Sequence, residues 1–207
     1  MFSVVIPTIW KSKKTLDLLK SFSENKKVSE IILIDNNPNF SMLKNNLCKK
    51  IKTFVFEKNI YVNPSWNFGV SKAKEDKIII SNDDIILDTN LITDIDVQED
   101  TLIGINNSCY HLNKNQNIYI STTNQINLGY GCLIMFQKKY YRPIPEIFKI
   151  YYGDNFLFES FKNKKCIHGL KIETIMSESC NVPELKSIIY KDIYQNNITP
   201  YKTFIKG

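Results

Sequence analysis

One amide and two carboxylates stand together near the middle of the chain, as Asn82, Asp83 and Asp84. Isoleucines at 78–80 precede them and two more follow at 85–86, a pattern typical of a buried strand that ends in a polar cluster. Adjacent like charges raise each other's pKa unless a cation lies between them, and oxygen ligands suit Mg²⁺ or Mn²⁺ better than zinc. The cluster therefore indicates a metal-diphosphate site, with an ordinary Asn-Asp-Asp turn as the alternative.

Strands and helices alternate over residues 1–90 and place further polar side chains at the same edge. We predict strands at 2–8, 30–35, 53–56 and 77–81, separated by helices at 12–23, 41–48 and 63–75. Right-handed crossovers make such a sheet parallel, and ligands bind at the carboxyl ends of its strands. Thr8, Asp35 and the 82–84 cluster all fall at such ends.

Local signals set the expected boundaries of the first elements. Pro7 should stop the first strand, because proline cannot donate to a central ladder. Ser12 can cap the first helix, whose apolar face would carry Leu16, Leu19 and Phe22. Asn63 or Ser65 can cap the third predicted helix.

The second half changes character. Shorter strands are predicted at 102–105, 118–121, 132–136 and 170–175, with helices at 155–163 and 184–194, so a mixed or antiparallel edge is expected. The Gly129-Tyr130-Gly131 triplet either lets the backbone approach a ligand or turns the chain.

Composition narrows the class of partner. The chain has 207 residues, a net charge of +6 and a single arginine, Arg142, which argues against a nucleic-acid binder built on bidentate arginine contacts. Its five cysteines include no CxxC pair, so reduced thiols and a cytoplasmic location are expected. Residues 1–7 predict a first strand and no signal peptide, and no apolar run approaches the ~20 residues that span a bilayer.

Five motifs occur in an order that resembles the GT-A fold glycosyltransferases of family 2. The motifs are Val4-Val5-Ile6-Pro7-Thr8, Ile32-Leu33-Ile34-Asp35-Asn36, Trp66-Asn67-Phe68-Gly69, Asn82-Asp83-Asp84 and Gly153-Asp154. The resemblance implies an α/β GT-A fold with a mixed, mostly parallel sheet flanked by helices. It implies a single domain, with a nucleotide-sugar-binding half at about 1–90, an acceptor half at about 91–182 and a tail at 183–207.

The resemblance assigns donor-binding roles to the first two strand ends and to the acidic cluster. Pro7 and Thr8 would lie against the nucleobase, and Asp35 would accept the imide N–H of uracil or thymine. The adjoining Asn36 would also belong to the donor-binding site. A turn acid is the alternative for Asp35. The family's triplet commonly reads Asp-x-Asp, so Asn82 replaces the first acid; it can still bind a sugar hydroxyl.

Within the same cluster, the resemblance makes Asp84 the direct ligand of Mn²⁺ or Mg²⁺. Asp83 would support the metal's water shell or the nucleotide. The Trp66-Asn67-Phe68-Gly69 element is interpreted structurally, with Gly69 permitting close helix-sheet packing. His168 is expected to pack or hydrogen-bond locally, and His111 to be solvated.

Asp154 is the predicted catalytic residue. Inverting transfer needs a base that removes the proton of the acceptor hydroxyl, and a carboxylate can do this. The alternative, compatible with the first, is that Asp154 caps the helix that follows it.

The resemblance thus predicts an inverting, metal-dependent glycosyltransferase that uses a UDP- or dTDP-sugar and a glycan or other hydroxyl acceptor. A non-catalytic nucleotide-sugar-binding module is the second hypothesis. A nucleotidyltransferase is disfavoured, because residues 8–12 lack the glycine- and arginine-rich loop expected after its first strand. Tyr140, Tyr141, Tyr151 and Tyr152 could stack on sugar rings, although core packing of at least half of them is expected.

Overall fold

The computed structural model describes residues 1–37, 48–175 and 183–192. In chain order its elements are β1 (Phe2–Thr8), α1 (Thr15–Glu24), β2 (Val28–Asp35), β3 (Ile51–Val55), α2 (Val62–Lys72), β4 (Lys77–Ser81), β5 (Ile85–Ile86), α3 (Thr89–Thr93), β6 (Thr101–Ile105), β7 (Tyr119–Thr122), β8 (Leu133–Gln137), α4 (Gly153–Ser160), β9 (Asn163–His168), β10 (Glu173–Thr174) and α5 (Lys186–Tyr190). The alternation expected in the first half is present at β1-α1-β2 and at β3-α2-β4.

Eight strands form one sheet in the order β3-β2-β1-β4-β8-β6-β9-β7. The first four are parallel, whereas β8 runs antiparallel to both of its neighbours, β4 and β6. Strand β9 is parallel to β6, and β7 at the edge is antiparallel to β9. Strands β5 and β10 make a small second sheet. The predicted parallel half with a mixed second half is confirmed.

Pro7 ends only one of the two ladders of β1. The strand continues to Thr8 beside β2, where Pro7 pairs with Ile34 and Thr8 with Asp35. On the other side the pairing with β4 stops at Val5, before the proline. The predicted strand bounds of 2–8 are therefore confirmed, and Pro7 ends the pairing with β4 but not the pairing with β2. Strands β1 and β4 therefore separate at their carboxyl ends.

Helices pack against both faces of the sheet through apolar side chains. Val4 and Ile6 pack with α1, and Val5 packs with α2, as expected when successive side chains of a strand point to opposite faces. Gly69 of α2 lies so close to the sheet that a β-carbon there would come within 2.2 Å of a methyl group of Val5. This confirms the structural interpretation of Gly69.

Helix α1 begins later than predicted. It starts at Thr15, and the residue before it, Lys14, makes no side-chain cap. Ser12 lies in the preceding turn, where its hydroxyl accepts the N–H of Lys14 at 3.2 Å. Leu16 is 36% exposed, while Leu18 is buried in its place with Leu19 and Phe22. The buried face of α1 is therefore formed by Thr15, Leu18, Leu19 and Phe22, and Leu16 lies outside it.

Other boundaries shift more modestly. Helix α2 begins at Val62, after Tyr61, which makes no side-chain cap, so the predicted cap at Asn63 or Ser65 was wrong. The helix ends at Lys72 instead of residue 75. Strand β3 begins at Ile51 instead of residue 53. The helix predicted at 41–48 lies, except for Cys48, outside the described residues.

The prediction for residues 155–175 was wrong in two places. Helix α4 ends at Ser160, and the chain then enters β9, which was missed. Its lysine-rich first half has no alternating apolar pattern, and tertiary pairing with β6 and β7 makes it a strand. The strand predicted at 170–175 is only the two-residue β10. Of the tail helix predicted at 184–194, α5 forms the part at 186–190.

Candidate functional site

A cavity of about 290 Å³ opens at the carboxyl ends of β1 and β4. Seven of the predicted site residues line it, namely Pro7, Thr8, Asn36, Asn82, Asp83, Asp84 and Asp154. The remaining lining residues are Ile9, Asn59, Tyr61, Val62, Trp66, Leu128, Gly129, Gly131, Cys132, Ile150, Tyr151 and Leu185. The fold therefore gathers the strand-end residues and the distant Asp154 around one space.

Thr8 holds Asp83 from the end of the neighbouring strand. Its hydroxyl donates to Oδ2 of Asp83 at 2.5 Å and accepts the N–H of Trp10 at 2.9 Å. The hydroxyl of Thr15 lies 3.4 Å from the same carboxylate oxygen. Burial, together with the charge of the adjacent Asp84, raises the pKa of Asp83 to about 7, although the hydrogen bond from Thr8 opposes the shift.

Asp84 and Asn82 flank this carboxylate. Asp84 is only 5% exposed and lines the cavity. Asn82 is half-buried, and its backbone N–H donates to the carbonyl of Cys132 at 2.8 Å, just before β8. Cys132, the residue before β8, therefore lies beside the acidic cluster and lines the same cavity.

The two adjacent carboxylates fit a hard divalent cation. No group of three or more His, Cys, Asp or Glu side chains is gathered to hold a metal within residues 1–37, 48–175 and 183–192. Mg²⁺ is usually bound by one or two carboxylates together with waters and substrate phosphates, so a complete protein cage is not required. Asp84 could supply such a ligand, while one oxygen of Asp83 is occupied by Thr8.

Asp35 lies beside this cavity but does not line it. It is completely buried, and its Oδ1 accepts the N–H of Asn37 at 2.9 Å, as in the turn role that the sequence left open. Its Oδ2 has no hydrogen-bond partner among the described residues. Asn36 does line the cavity, and its side chain bonds Ser65 Oγ at 2.9 Å and the N–H of Ile60 at 3.2 Å.

Asp154 reaches the cavity from the first turn of α4. Tyr152, with φ of +64°, is the residue that precedes the helix, so Asp154 is not its N-cap. Oδ1 of Asp154 accepts the N–H of Asn155 at 3.0 Å. Burial raises the pKa of Asp154, although backbone N–H donors oppose the shift.

The Gly129-Tyr130-Gly131 triplet turns the chain, which is one of the two interpretations that the sequence allowed. Gly129 has φ of +81° and turns the chain, and both glycines line the cavity. A β-carbon at position 131 would come within 2.7 Å of Asp154. Tyr130 is fully buried, and its hydroxyl lies 3.1 Å from the carbonyl oxygens of Leu102 and Lys165.

One of the four candidate tyrosines lines the cavity, and it is Tyr151. Tyr141 instead stacks on Phe136 at 5.2 Å, and its hydroxyl donates to Oδ1 of Asn67 at 2.7 Å. Tyr152 packs beside Phe148 at 5.8 Å. The expectation that at least half of these rings pack in the core holds for Tyr141 and Tyr152.

The sequence did not identify three polar residues that hold the loop before Asp154. Asn67 bonds the backbone of Ile144 through both amide atoms at 2.8 Å. Asn63 donates to the carbonyls of Phe148 and Tyr151, and Asp192 accepts backbone N–H groups from residues 149–151. The sequence offered one signal for these contacts, the polar residues at the start of α2. Contacts between residues so far apart in the chain leave no local sequence pattern.

The histidines take no part in this cavity. His168 stacks on Tyr119 at 4.6 Å and lies 2.8 Å from Oγ of Ser121, which confirms the expected local contacts. His111 is exposed at the end of a short 3₁₀ helix.

The fold is shared with solved GT-A glycosyltransferases. Neither a protein-family model nor a curated protein matches the sequence. The structure of S. aureus TarS 1-349 matches with a TM-score of 0.58 at 16% identity, covering 86% of this chain and 61% of that one. GalNAc-T7 with UDP, GalNAc and Mn²⁺ matches with a TM-score of 0.58 at 15% identity, covering 84% of this chain and 43% of that one.

A third solved structure matches over nearly its full length. HddC from Yersinia pseudotuberculosis has a TM-score of 0.57 at 16% identity, covering 93% of this chain and 98% of that one. At these identities the likeness concerns architecture, and it confirms the GT-A fold with its mixed, mostly parallel sheet. Within the described part of the chain, no helix has both the length and the apolar character to cross a membrane.

Proposed function

We propose that this chain is a GT-A domain that transfers a sugar from a UDP- or dTDP-sugar to a hydroxyl of a glycan or other acceptor, with inversion and with Mn²⁺ or Mg²⁺. The observation that carries the proposal is that Asp154 and the 82–84 cluster, distant in sequence, line one cavity of about 290 Å³. One side of this cavity suits a diphosphate and its cation, and the other offers the half-buried carboxylate of Asp154. Inverting transfer needs both.

Asp154 is proposed as the general base. Its carboxylate would take the proton of the acceptor hydroxyl as that oxygen bonds to the anomeric carbon. The bond from this carbon to the diphosphate breaks in the same step, and the nucleoside diphosphate leaves. The pKa of Asp154, raised by burial, favours this role, because a base is most effective when its pKa approaches the working pH.

The acidic cluster is proposed to hold the donor's diphosphate side. Asp84 would bind the cation directly, Asn82 would bind a sugar hydroxyl, and Asp83 would remain fixed by Thr8. When bound, the cation would stabilise the charge of the departing diphosphate. Among the similar structures, GalNAc-T7 was solved with UDP, GalNAc and Mn²⁺, which supports this choice of metal.

A uridine or thymidine donor is proposed from the first two strand ends. Pro7 and Thr8 line the cavity where the base would lie. Oδ2 of Asp35 is a buried acceptor that lacks a partner among the described residues. Because Asp35 is fully buried and does not line the cavity, it would take the imide N–H only after the turn at residues 35–37 moves to expose it. TarS 1-349 was solved with UDP and with UDP-GlcNAc, which supports this class of donor.

We place the reaction in the cytoplasm, since Cys48, Cys109, Cys132 and Cys166 are free thiols.

The test is donor binding by calorimetry, with UDP-sugars, dTDP-sugars and GDP-mannose titrated in the presence and absence of Mn²⁺. We expect selective, metal-dependent binding of a uridine or thymidine donor. Asp84→Ala should abolish the metal dependence, with Asp96→Ala as the matched control, because the Asp96 side chain is 78% exposed. Donor affinity that is unchanged by a chelator would overturn the role of Asp84. Folded protein that binds no donor would overturn the proposal.

A second function is favoured by one observation, the amide of Asn82 at the position where the family commonly has an acid. A non-catalytic module would bind nucleotide sugar without transferring it. Retained donor binding with neither hydrolysis nor transfer across an acceptor panel would select this alternative.

A further inference from the structure

Asp192 is a buried carboxylate that does not itself line the cavity. It follows α5 and is 1% exposed. Its Oδ2 accepts three consecutive backbone N–H groups, from Lys149 at 3.1 Å, Ile150 at 2.6 Å and Tyr151 at 2.9 Å. Successive N–H groups that converge in this way form an anion-binding concavity, and here the anion is part of the chain itself.

Asn63 holds the carbonyl side of the same segment. Its side-chain amide donates to the carbonyl of Phe148 at 3.3 Å and to that of Tyr151 at 2.9 Å. Its backbone N–H donates to the carbonyl of Lys149 at 3.0 Å. The segment 148–151 is therefore fixed from both sides, by Asp192 through its N–H groups and by Asn63 through its carbonyl groups.

This segment leads directly to Asp154. Ile150 and Tyr151 line the same cavity as Asp154. Tyr152 then adopts φ of +64°, which is uncommon for a residue other than glycine and persists only where neighbouring structure requires it. At Gly153 a β-carbon would come within 2.1 Å of Oδ1 of Asn63, so the backbone passes tightly against α2 before it reaches Asp154.

We propose that Asp192 is a positioning residue, which sets the 148–151 segment and through it the direction of the Asp154 carboxylate. The proposal rests on the function proposed above for Asp154. A carboxylate suits this position because three N–H donors point at one oxygen, and a charged acceptor forms stronger bonds with them than a neutral one. Without it, these N–H groups would lose their partner next to the site.

The test compares Asp192→Ala and the nearly isosteric Asp192→Asn with the exposed control Asp96→Asn. We expect kcat for transfer to fall by about 100-fold in Asp192→Ala, because a small displacement of a catalytic group costs about that much. The KM for the donor should stay within about twofold, since the donor contacts lie elsewhere. Sodium formate, a small carboxylate that can enter the vacated N–H concavity, should restore at least about a tenth of the rate.

Amide hydrogen exchange gives a readout that needs no activity. In both variants the amides of residues 149–151 should exchange faster. The amide of Asn155 should do so too, because it donates to the carboxylate of Asp154. If Asp192→Ala does not fold, Asp192→Asn supplies the same comparison.

A folded variant with wild-type kcat, or with unchanged exchange at Asn155, would overturn the positioning role. Wild-type protein that transfers no sugar would overturn only the proposed function. In that case exchange at Asn155 still decides whether Asp192 positions Asp154.

Discussion

The backbone of Gly131 lies directly against the side chain of Asp154. A β-carbon at position 131 would come within 2.7 Å of both Cβ and Oδ2 of Asp154. The carboxylate is held on its other oxygen by the N–H of Asn155 at 3.0 Å. Any side chain at position 131 must therefore displace Asp154 from its place in the cavity.

Gly131→Ala should lower the transfer rate by about 10- to 100-fold, because the added methyl group misplaces the base. Donor affinity should change little, since the 82–84 cluster and Thr8 lie on other elements. Steady-state kinetics combined with donor calorimetry separate the two effects. Wild-type turnover in Gly131→Ala would show that the contact is unimportant for Asp154.

Asp154→Asn should abolish transfer and leave donor binding intact. The amide keeps the shape of the side chain but cannot accept a proton, and general bases typically contribute a factor of about 10²–10⁴ to the rate. Glu159→Gln is the matched control, because Glu159 is an exposed acid on the same helix. Undiminished turnover in Asp154→Asn would remove the base assignment.

The same substitution should change how stability depends on pH. Burial raises the folded-state pKa of Asp154 above its unfolded value, so the folded protein binds this proton more tightly. The resulting stabilisation is present below the unfolded pKa and is lost as the pH rises through the folded pKa. Asp154→Asn should lack this loss and be the more stable protein at neutral pH.

Urea unfolding of wild type, Asp154→Asn and Glu159→Gln across the pH range checks this expectation. The expectation would be contradicted if the free energy of unfolding changed with pH in the same way for wild type and Asp154→Asn.

Glu30 should have the opposite effect on the pH dependence of stability. This buried carboxylate accepts the hydroxyl of Ser3 at 2.7 Å and the N–H of Lys74 at 2.6 Å, and it forms an ion pair with Lys52. Burial alone would raise the pKa of its carboxyl group, but these hydrogen bonds hold it below the usual value of 4.5. The stabilisation is therefore present above the unfolded pKa and is lost as the pH falls through the folded pKa.

Glu30→Gln should lower the free energy of unfolding at pH 7 by about 1–2 kcal/mol, a value reduced by the partial exposure of Lys52. The difference from wild type should shrink below about pH 4.5, where the carboxylate becomes protonated. The exposed Glu57→Gln is the control for urea unfolding at pH 7 and at low pH. Equal stability of Glu30→Gln and wild type at pH 7 would exclude this contribution.

The sequence by itself determined the parallel half of the fold and the edge at which Thr8 and the 82–84 cluster meet. Apolar runs that end in polar residues are local signals, and the carboxyl ends of parallel strands lie together whatever the rest of the chain does. The hydrogen bond between Thr8 and Asp83 and the pairing of Thr8 with Asp35 follow from that rule.

Only the tertiary structure decided how the opposite side of the cavity is built. It brought Asp154 to the cavity, left Asp35 buried beside it, and joined Asp192 and Asn63 to the 148–151 segment. It also made a strand of the lysine-rich β9 through its neighbours β6 and β7. The physical reason is that these contacts join side chains to backbone groups far away in the chain, and such contacts impose no periodicity on the residues between them.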